Sequence, residues 1–243
     1  MSVVGGPDIV RDGLVYYYDF KNTDCYNGTD VSCYDLGDEK LIGTISGTTF
    51  QDGYFTFNNS INDVIDMPNP LYNPSGESEF TISTWATTET GAANRTIIWS
   101  NGGTSANGIA IQSGNPGLDQ IMCYVGDDGS PFFVCTCTEN NVWFNVAFVF
   151  NGALSTDAEK VKMYFNGQQK VLTISGAGFP SVVPTLASGS FQIGGNARFA
   201  RYWDGNIGII KWYNRALTAA EALQNYEALK GRYISWVFII KQK

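Results

Sequence analysis

The absence of histidine and the scarcity of paired acids limit the chemistry that this chain of 243 residues can perform. Without histidine, nucleophilic sites of the Ser-His-Asp and Cys-His types are excluded. Two carboxylates could still hydrolyse a glycosidic bond, one as the acid and one as the base or nucleophile. The nearest approach is Glu77 with Glu79, which precede a strand-like segment and lack a third acid. We expect both to be structural or solvated, and we predict that the chain is not an enzyme.

Two segments combine aromatic rings with side chains that could hold sugar hydroxyls. Tyr72 lies in "NPLYNPSG", and Tyr202, Trp203 and Asp204 lie in "ARFARYWDGN". Exposed rings stack on sugars, while amides and carboxylates bind their hydroxyl groups. These four residues are therefore candidate glycan or partner contacts. The alternative is that the rings fill the core or cover its edges.

The five cysteines offer one possible disulfide and no evident metal site. Cys25 and Cys33 flank the polar turn "YNGTDVS", which could bring them together as a disulfide. Free thiols, buried or half-exposed, are the alternative. Cys135 and Cys137 would lie on the same face of one strand, a poor geometry for pairing with each other. No C-x-x-C pair is present, which argues against structural zinc.

The charge and hydropathy of the chain exclude several partners. Its net charge is −8 with only 15 basic residues, so we expect no nucleic acid and no anionic membrane surface as partner. The longest apolar run, "YISWVFII", is far shorter than the roughly 20 residues of a membrane span, and we expect no membrane insertion. The N-terminus lacks a basic start followed by an apolar segment. We therefore predict no signal peptide and synthesis in a host cytoplasm.

Hydrophobic periodicity predicts mainly β-structure. Alternation predicts strands over 79–88, 142–150 and 160–165. Asn166-Gly167 predicts a type I′ hairpin turn, because both central residues of that turn need a positive φ.

The segment 191–233 predicts three short strands followed by one helix over 218–230. Thr218 and Glu221 form a capping box, and Gly231 should end the helix. One apolar stripe runs along this helix and consists of Ala222, Leu223, Tyr226 and Leu229.

Three motifs resemble those of concanavalin A-like, laminin-G-type jelly rolls, which are common in bacteriophage virion proteins and secreted adhesins. The first is the run "WYNRALTAAE" with the tyrosine that follows it in the helix. The second is "EFTISTWATT", similar to F-T-I-S-x-W. The third is "NVWFNVAFVFNG", similar to W-x-H-V-A-x-x-x-x-G, with Asn145 in place of the usual histidine.

The resemblance covers about residues 13–233 and implies an all-β fold. We expect a two-sheet antiparallel jelly-roll sandwich of roughly twelve to fourteen strands with one short C-terminal helix. It would form a single domain over 1–243, with 1–12 as an N-terminal arm and 234–243 as a C-terminal extension strand. One face of that strand is a candidate assembly surface, the alternative being burial in its own sandwich; this face carries Ile234, Trp236, Phe238 and Ile240.

The resemblance also implies that the chain could bind calcium, which such modules often bind through aspartates and loop carbonyls. Calcium needs six to eight oxygen ligands. The candidates are Asp63, Asp66, Asp127, Asp128 and Asp204, each of which could instead be a turn residue. Glycoside hydrolases of this fold commonly carry E-x-D-x-x-E, which this chain lacks. No other cofactor is expected.

The resemblance implies two functions from different classes. The first is a non-enzymatic structural protein on the surface of a virus particle, such as a tailed-phage capsid decoration or a head or tail fibre. Its partners would be other virion proteins or copies of itself. The alternative is a lectin-like module that binds a cell-surface glycan in host adsorption or adhesion. A degenerate or unrecognised glycoside hydrolase is a third and less supported reading. Fold alone does not choose among them.

Overall fold

The structure is a computed structural model. It describes residues 7–37, 40–67, 73–89, 95–100, 107–113, 120–127, 130–136, 141–176, 178–186, 191–196 and 199–234.

The described residues form two antiparallel sheets, as the sequence predicted. The eight-stranded sheet has the order β14-β13-β12-β7-β17-β5-β4, with β1 also paired to β17. The nine-stranded sheet has the order β15-β11-β10-β9-β8-β16-β6-β3-β2. The strands are β1 Leu14–Asp19, β2 Ser32–Tyr34, β3 Ile42–Ser46, β4 Thr49–Gln51, β5 Tyr54–Phe57, β6 Val64–Met67, β7 Glu79–Ala86, β8 Thr96–Ser100, β9 Asn107–Ser113, β10 Gln120–Asp127, β11 Ser130–Thr136, β12 Phe144–Asn151, β13 Val161–Phe165, β14 Gln168–Gln169, β15 Thr173–Ser175, β16 Phe191–Ile193 and β17 Gly205–Tyr213.

The core lies between the sheets and follows directly from the alternation of the strands. In the nine-stranded sheet, strand register aligns one row of inward apolar residues. That row is Ile65, Ile193, Ile98, Ile111, Cys123 and Phe133. The eight-stranded sheet presents Phe80, Phe148 and Trp212 to the same core cluster. Burial of rings and branched side chains on both inner faces holds the sandwich together.

The predicted hairpin at Asn166-Gly167 is confirmed, since both residues have positive φ, 50° and 75°, between β13 and β14. More strands are present than the sequence count suggested. The additional ones are short: β2, β4 and β15 span only three residues each and β14 only two, whereas β16, also of three residues, lies at the start of the segment in which strands were predicted. Strands this short carry too little alternation to be recognised from sequence.

The C-terminal helix is α2, Ala219–Tyr233, and a four-residue helix α1, Asp157–Lys160, precedes β13. The capping box of α2 is confirmed: Thr218 N donates to Glu221 Oε2 at 2.8 Å, and Glu221 N donates to Thr218 Oγ1 at 3.3 Å. The expected stop at Gly231 is wrong. The helix continues until Ile234 N donates to Lys230 O at 2.8 Å, and its last turn is held by tertiary contacts.

Helix α2 covers the outer face of the eight-stranded sheet. Ala222 and Leu229 are buried there, whereas Leu223 is 37% exposed and does not belong to the buried stripe. The arm at 7–12 joins this layer through Ile9 and Val10. Asn225 ties the three parts together, because it accepts from Val10 N at 2.9 Å and its amide donates to Tyr213 Oη at 3.1 Å.

The structure distinguishes between a disulfide and free thiols for Cys25 and Cys33. Cys25 and Cys33 are free and buried thiols. The backbone of their loop closes tightly, with Tyr34 N donating to Cys25 O at 2.8 Å. Burial raises the pKa of the Cys25 thiol to about 12. Within the proposed assembly strand, Ile234 is the residue that caps α2, and Trp236, Phe238 and Ile240 lie outside the described residues.

Candidate functional site

The outer face of the nine-stranded sheet, here called the open face, carries residues that alternate with the core row. In β9, Ile109 and Ile111 point inward, so Ala110 and Gln112 belong to the open face. Within the described residues no helix packs on it, in contrast to the face covered by α2. The open face is therefore the surface on which half-buried side chains are available to a ligand.

Polar residues cross the open face in register. Asp66 pairs with Thr44 on one side and with Gln192 on the other, and Gln192 Nε2 lies 3.4 Å from Asp66 Oδ1. Farther along the same row, Ala110 pairs with Tyr124 and Tyr124 with Phe132. The row passes from polar to aromatic residues; Asp66, Gln192 and Phe132 are partly buried, whereas Ala110 and Tyr124 are fully buried.

A small aromatic patch lies at the centre of the open face. Ala110 and Tyr124 form its buried base, and Phe132 and Phe199 pack on them while remaining partly exposed. The guanidinium carbon of Arg201 lies 5.0 Å from the centre of the Phe199 ring. Such a cation–ring contact holds Arg201 beside the patch.

Buried polar atoms without hydrogen-bond partners gather at one end of the open face. Gln112 is fully buried, and neither its amide oxygen nor its nitrogen has a partner. Thr96, its register partner on β8, has an unpaired hydroxyl, and Arg95 Nε and Asn196 Nδ2 are unpaired as well. Burying such groups is costly unless water or a ligand satisfies them. We call this end of the face the polar floor; it consists of Gln112, Thr96, Arg95 and Asn196, whose buried polar atoms lack hydrogen-bond partners.

The loop 194–204 positions the residues above that floor. Gly194 N donates to Ile97 O at 2.7 Å, and Tyr202 bridges Thr96. Asn196 closes a tight turn, because its backbone carbonyl accepts from the N–H groups of Phe199 and Arg201. Ala200 has a φ of 51° within that turn.

The four predicted contact residues differ in how far the structure exposes them to solvent. Trp203 is only 1% exposed, and its indole N–H donates to Thr87 O at 3.0 Å, so this ring is core and offers no surface for stacking. Tyr202 is also buried, and Asp204 is half-buried, with its carbonyl accepting from Glu89 N. Tyr72 lies outside the described residues.

Sequence reasoning singled out the segment that contains Trp203 but did not name its half-exposed members. Phe199 and Arg201 stand in the same "ARFARYWDGN" as Trp203. Gln112 could have been noticed as the polar residue that interrupts "NGIAIQS". No sequence rule states which of several neighbouring rings turns outward, because that depends on the loop's path across the sheet.

The calcium candidates whose side chains the structure describes, Asp63, Asp66 and Asp204, do not form a metal-binding cluster. Among the described residues, no three Cys, Asp or Glu side chains come close enough to hold an ion. Asp63 is buried, and burial raises the pKa of its carboxyl while Asn58 N donates to Oδ2 at 2.9 Å. Asp66 bonds Gln192 on the open face instead. Asp128 and the side chain of Asp127 lie outside what the structure describes.

The two acids considered for hydrolysis lie apart from the open face. Glu79 accepts from Asn151 Nδ2 at 2.6 Å through Oε1, and from Ala216 N at 3.2 Å through Oε2. Both oxygens therefore fasten β7 to β12 and to the start of the α2 segment. Glu77 is exposed beside the turn at Pro74, whose carbonyl accepts from its backbone N–H at 3.0 Å.

A family model described as the concanavalin A-like lectin/glucanases superfamily, of the laminin-G type, matches residues 58–222, well over half of the chain. The chain belongs to this superfamily. Its matched segment extends from the end of β5 into α2 and includes every open-face strand except β2 and β3. No curated protein matches the sequence.

Solved structures with the same fold come from several kinds of protein. Domain 4 of the arabinanase AbnA from Geobacillus stearothermophilus, in complex with arabinotriose, is 22% identical, with a TM-score of 0.63, over 89% of this chain and 100% of that one. Trypanosoma rangeli sialidase in complex with sialic acid is 14% identical, with a TM-score of 0.66, over 96% and 37%. The binding domain of botulinum neurotoxin serotype D is 14% identical, with a TM-score of 0.61, over 90% and 52%.

The comparisons show a lectin-like jelly roll. This chain spans all of the arabinanase domain but only about a third of the sialidase chain. At these identities the likeness shows the fold alone. In the part of the chain that the structure describes, no helix has the length and hydropathy to span a membrane.

Proposed function

We propose that this chain is a non-catalytic module that binds carbohydrate on its open face. The observation that carries the proposal is the mixed row of half-buried polar and aromatic side chains on the sheet face without a helix. Asp66 and Gln192 offer hydroxyl partners, and Phe132, Phe199 and Arg201 lie beside them. A sugar needs both kinds of group, a ring to stack on and polar atoms to fix its orientation.

At one end of the open face, Gln112 and Thr96 have fully buried side-chain polar atoms without hydrogen-bond partners. Enclosed water is the partner that would satisfy such atoms, so the proposed ligand contacts are the partly exposed side chains of Asp66, Gln192 and Phe199. The ligand complexes of two structural relatives, with arabinotriose and with sialic acid, make carbohydrate the natural first class to test.

Glycan-array binding of the full chain, followed by calorimetry with any positive glycan, tests the proposal. Gln192→Ala and Phe199→Ala should each weaken binding about tenfold, through a lost hydrogen bond and a lost stacking ring. Gln169→Ala is the matched control, because Gln169 is exposed on β14 of the other sheet. Glycan binding that survives both open-face changes would move the site elsewhere.

The proposal includes the absence of hydrolysis. It is supported by the missing histidine and by the structural hydrogen bonds that occupy both oxygens of Glu79. We expect no release of reducing sugar from any glycan that the protein binds. Turnover abolished by Glu79→Gln, with the fold intact, would contradict this expectation.

A second candidate function is a structural place on the surface of a virus particle, as a capsid decoration or fibre. The supporting observation is an apolar patch at the edge of the nine-stranded sheet. Val31 is 72% exposed, and Tyr34 and Ile42 are paired in register and 42% and 50% exposed. Edge strands with exposed apolar residues are where chains associate.

Sedimentation and particle-binding assays test this second candidate. Val31→Asp and Ile42→Asp should prevent self-association or incorporation into a particle. Val171→Asp is the control, because Val171 is 94% exposed outside this edge. A low-resolution map that shows the chain absent from the particle shell and tail would contradict the virion role and leave the carbohydrate proposal intact.

A further inference from the structure

A small cleft lies apart from the open face, where the C-terminal end of α2 meets the edge of the eight-stranded sheet. Its volume is about 150 Å³. The β4–β5 turn, the residue before β12 and the last residues of α2 form its walls. The side chains that line it are Lys21, Asp52, Tyr54, Trp143, Arg232 and Tyr233. An apolar cavity of about 150 Å³ accepts a molecule the size of benzene, so the cleft has room for one aromatic side chain.

The walls of the cleft are aromatic rings, and part of their surface is free. Tyr233 stacks on the buried Trp85 with ring centroids 4.7 Å apart, and it contacts Trp143 at 4.5 Å. Trp143 meets Tyr54 edge-on at 5.3 Å, and both rings are only partly buried. Val142, beside Trp143 in the sequence, is 50% exposed. Apolar side chains gathered at one place mark an interaction surface, whereas single scattered ones do not.

The charges of the cleft are balanced and do not select a charged ligand. Arg232 forms a fork with Asp19, whose carboxylate oxygens lie 2.7 and 2.8 Å from Nη1 and Nη2. The other cation of the lining, Lys21, is matched by the carboxylate of Asp52 in the same lining. The feature that calls for a partner is therefore the aromatic surface, which an uncharged apolar group fits best.

The chain leaves α2 at the border of this cleft. Ile234, which caps the helix, has a φ of −112° and a ψ of 106°, an extended conformation. Its side chain packs against the apolar cluster beneath α2, and Trp143 and Tyr233 pack against the same cluster. Nine residues follow Ile234, "SWVFIIKQK", and they lie outside the described residues. The apolar part of this segment therefore starts one residue away from the cleft wall.

The position of Ile234 selects one residue of the following segment. In an extended chain, side chains two residues apart point to the same side, and each residue advances about 3.3 Å. An extended continuation turns Trp236 toward the side on which Ile234 packs, about 7 Å farther along the chain. Phe238 would lie about 13 Å from Ile234, beyond a cleft whose wall begins at the neighbouring Tyr233. Trp236 is thus the aromatic residue within reach.

We propose that the segment after Ile234 folds back on its own molecule, with the indole of Trp236 in the cleft against Tyr54 and Trp143. The occupant belongs to this chain and not to a second copy, because a short tether holds the indole at an effective concentration in the millimolar range. Burial of the indole removes apolar surface of both the segment and the cleft from water. The cleft is separate from the open face, and the proposal does not depend on the function proposed there.

Limited proteolysis of the full-length protein tests the proposal. Chymotrypsin cleaves after large apolar residues, and its rate at a protected site follows the population in which that site is open. Cleavage after Phe238, followed by mass spectrometry, should be at least about tenfold slower in the protein than in a synthetic peptide of residues 233–243, because burying one large side chain is worth about tenfold to a hundredfold. Trp236→Ser should remove most of this protection, measured against the peptide with the same change.

Changes in the cleft wall test the contact without altering the cleaved segment. Tyr54→Ala should speed cleavage after Phe238 about twofold to tenfold, the usual value of an aromatic contact. Trp143→Ala should speed it further, with circular dichroism as the check that the fold is intact. Phe132→Ala is the matched control, because Phe132 is a partly exposed ring on the open face. It should leave cleavage after Phe238 unchanged.

Three results would each overturn the proposal. Equal cleavage rates in the protein and in the peptide would show that the segment stays open and leaves the cleft free for another ligand. Protection that survives both Tyr54→Ala and Trp236→Ser would place the segment elsewhere on the molecule. Protection that grows with protein concentration would assign the cleft to the segment of a second copy.

Discussion

The outer faces of the two sheets are built from similar alternating strands but differ in what covers them. On the eight-stranded sheet, α2 and the N-terminal arm cover Trp85, Ile209 and Tyr213. The covering layer brings Asn225, which completes hydrogen bonds with Val10 and Tyr213. On the open face no described helix does this, and Gln112 and Thr96 remain without partners. A covered face serves stability, whereas an open face with partly exposed polar and aromatic side chains is suited to a ligand.

The largest expected effect on stability comes from the covered face. Trp85 is buried and stacks on both Tyr226 and Tyr233. Trp85→Ala should lower the free energy of unfolding by about 3–5 kcal/mol in a urea melt, through lost burial and the cavity left behind. Phe199→Ala on the open face is the comparison, and it should cost much less because Phe199 is partly exposed. Equal costs would show that the two faces do not differ in this way.

Lys211 provides a pH test of the covered face. It is fully buried, Nζ has no partner, and burial lowers the pKa of its ammonium to about 7. The unfolded chain, with a pKa near 10.4, binds the proton more readily, so stability should rise from about pH 7 to pH 10. Lys211→Met should stabilise by about 1–4 kcal/mol near pH 7, and the gain should disappear by about pH 10. A gain independent of pH would mean that Lys211 titrates normally.

The helix cap tests how firmly α2 covers its sheet. Thr218→Ala should cost about 1 kcal/mol of unfolding free energy, the usual value of an N-cap. Thr156, which caps the four-residue α1, is the comparison, and Thr156→Ala should cost less because that helix buries no residue. A silent Thr218→Ala in denaturant melts would indicate that packing alone holds α2.

The smallest expected effect on stability is on the open face. Gln112→Leu removes an amide whose two polar atoms have no partner. The free energy of unfolding should change by less than about 1 kcal/mol or rise, since an unsatisfied polar group is replaced by an apolar one of similar size. A strongly destabilised Gln112→Leu would mean that the amide is satisfied by bound water in the folded protein.

Much of the fold could be predicted because it depends on local patterns. Alternation in "EFTISTWATT" and in the strand after Trp143 places Phe80, Phe148 and their neighbours in the core, as observed. The capping box at Thr218 and the turn at Asn166-Gly167 are properties of adjacent residues, and both are confirmed. The helix end at Gly231 could not be predicted, because the contacts of Arg232 with Asp19 and of Tyr233 with Trp85 extend α2.

The sequence by itself determined the strand alternation, the capped helix and the exclusion of histidine chemistry, because each follows from residue type and short spacing, and the resemblance to laminin-G-type domains implied the jelly roll. Only the tertiary structure decided which aromatic rings are surface and which are core. It buried Trp203 against Thr87, left Phe199 and Trp143 half-exposed, and brought Lys21 and Arg232 to one cleft from opposite ends of the chain. The physical reason is that exposure depends on what packs from distant segments, and one strand pattern fits both a covered face and an open one.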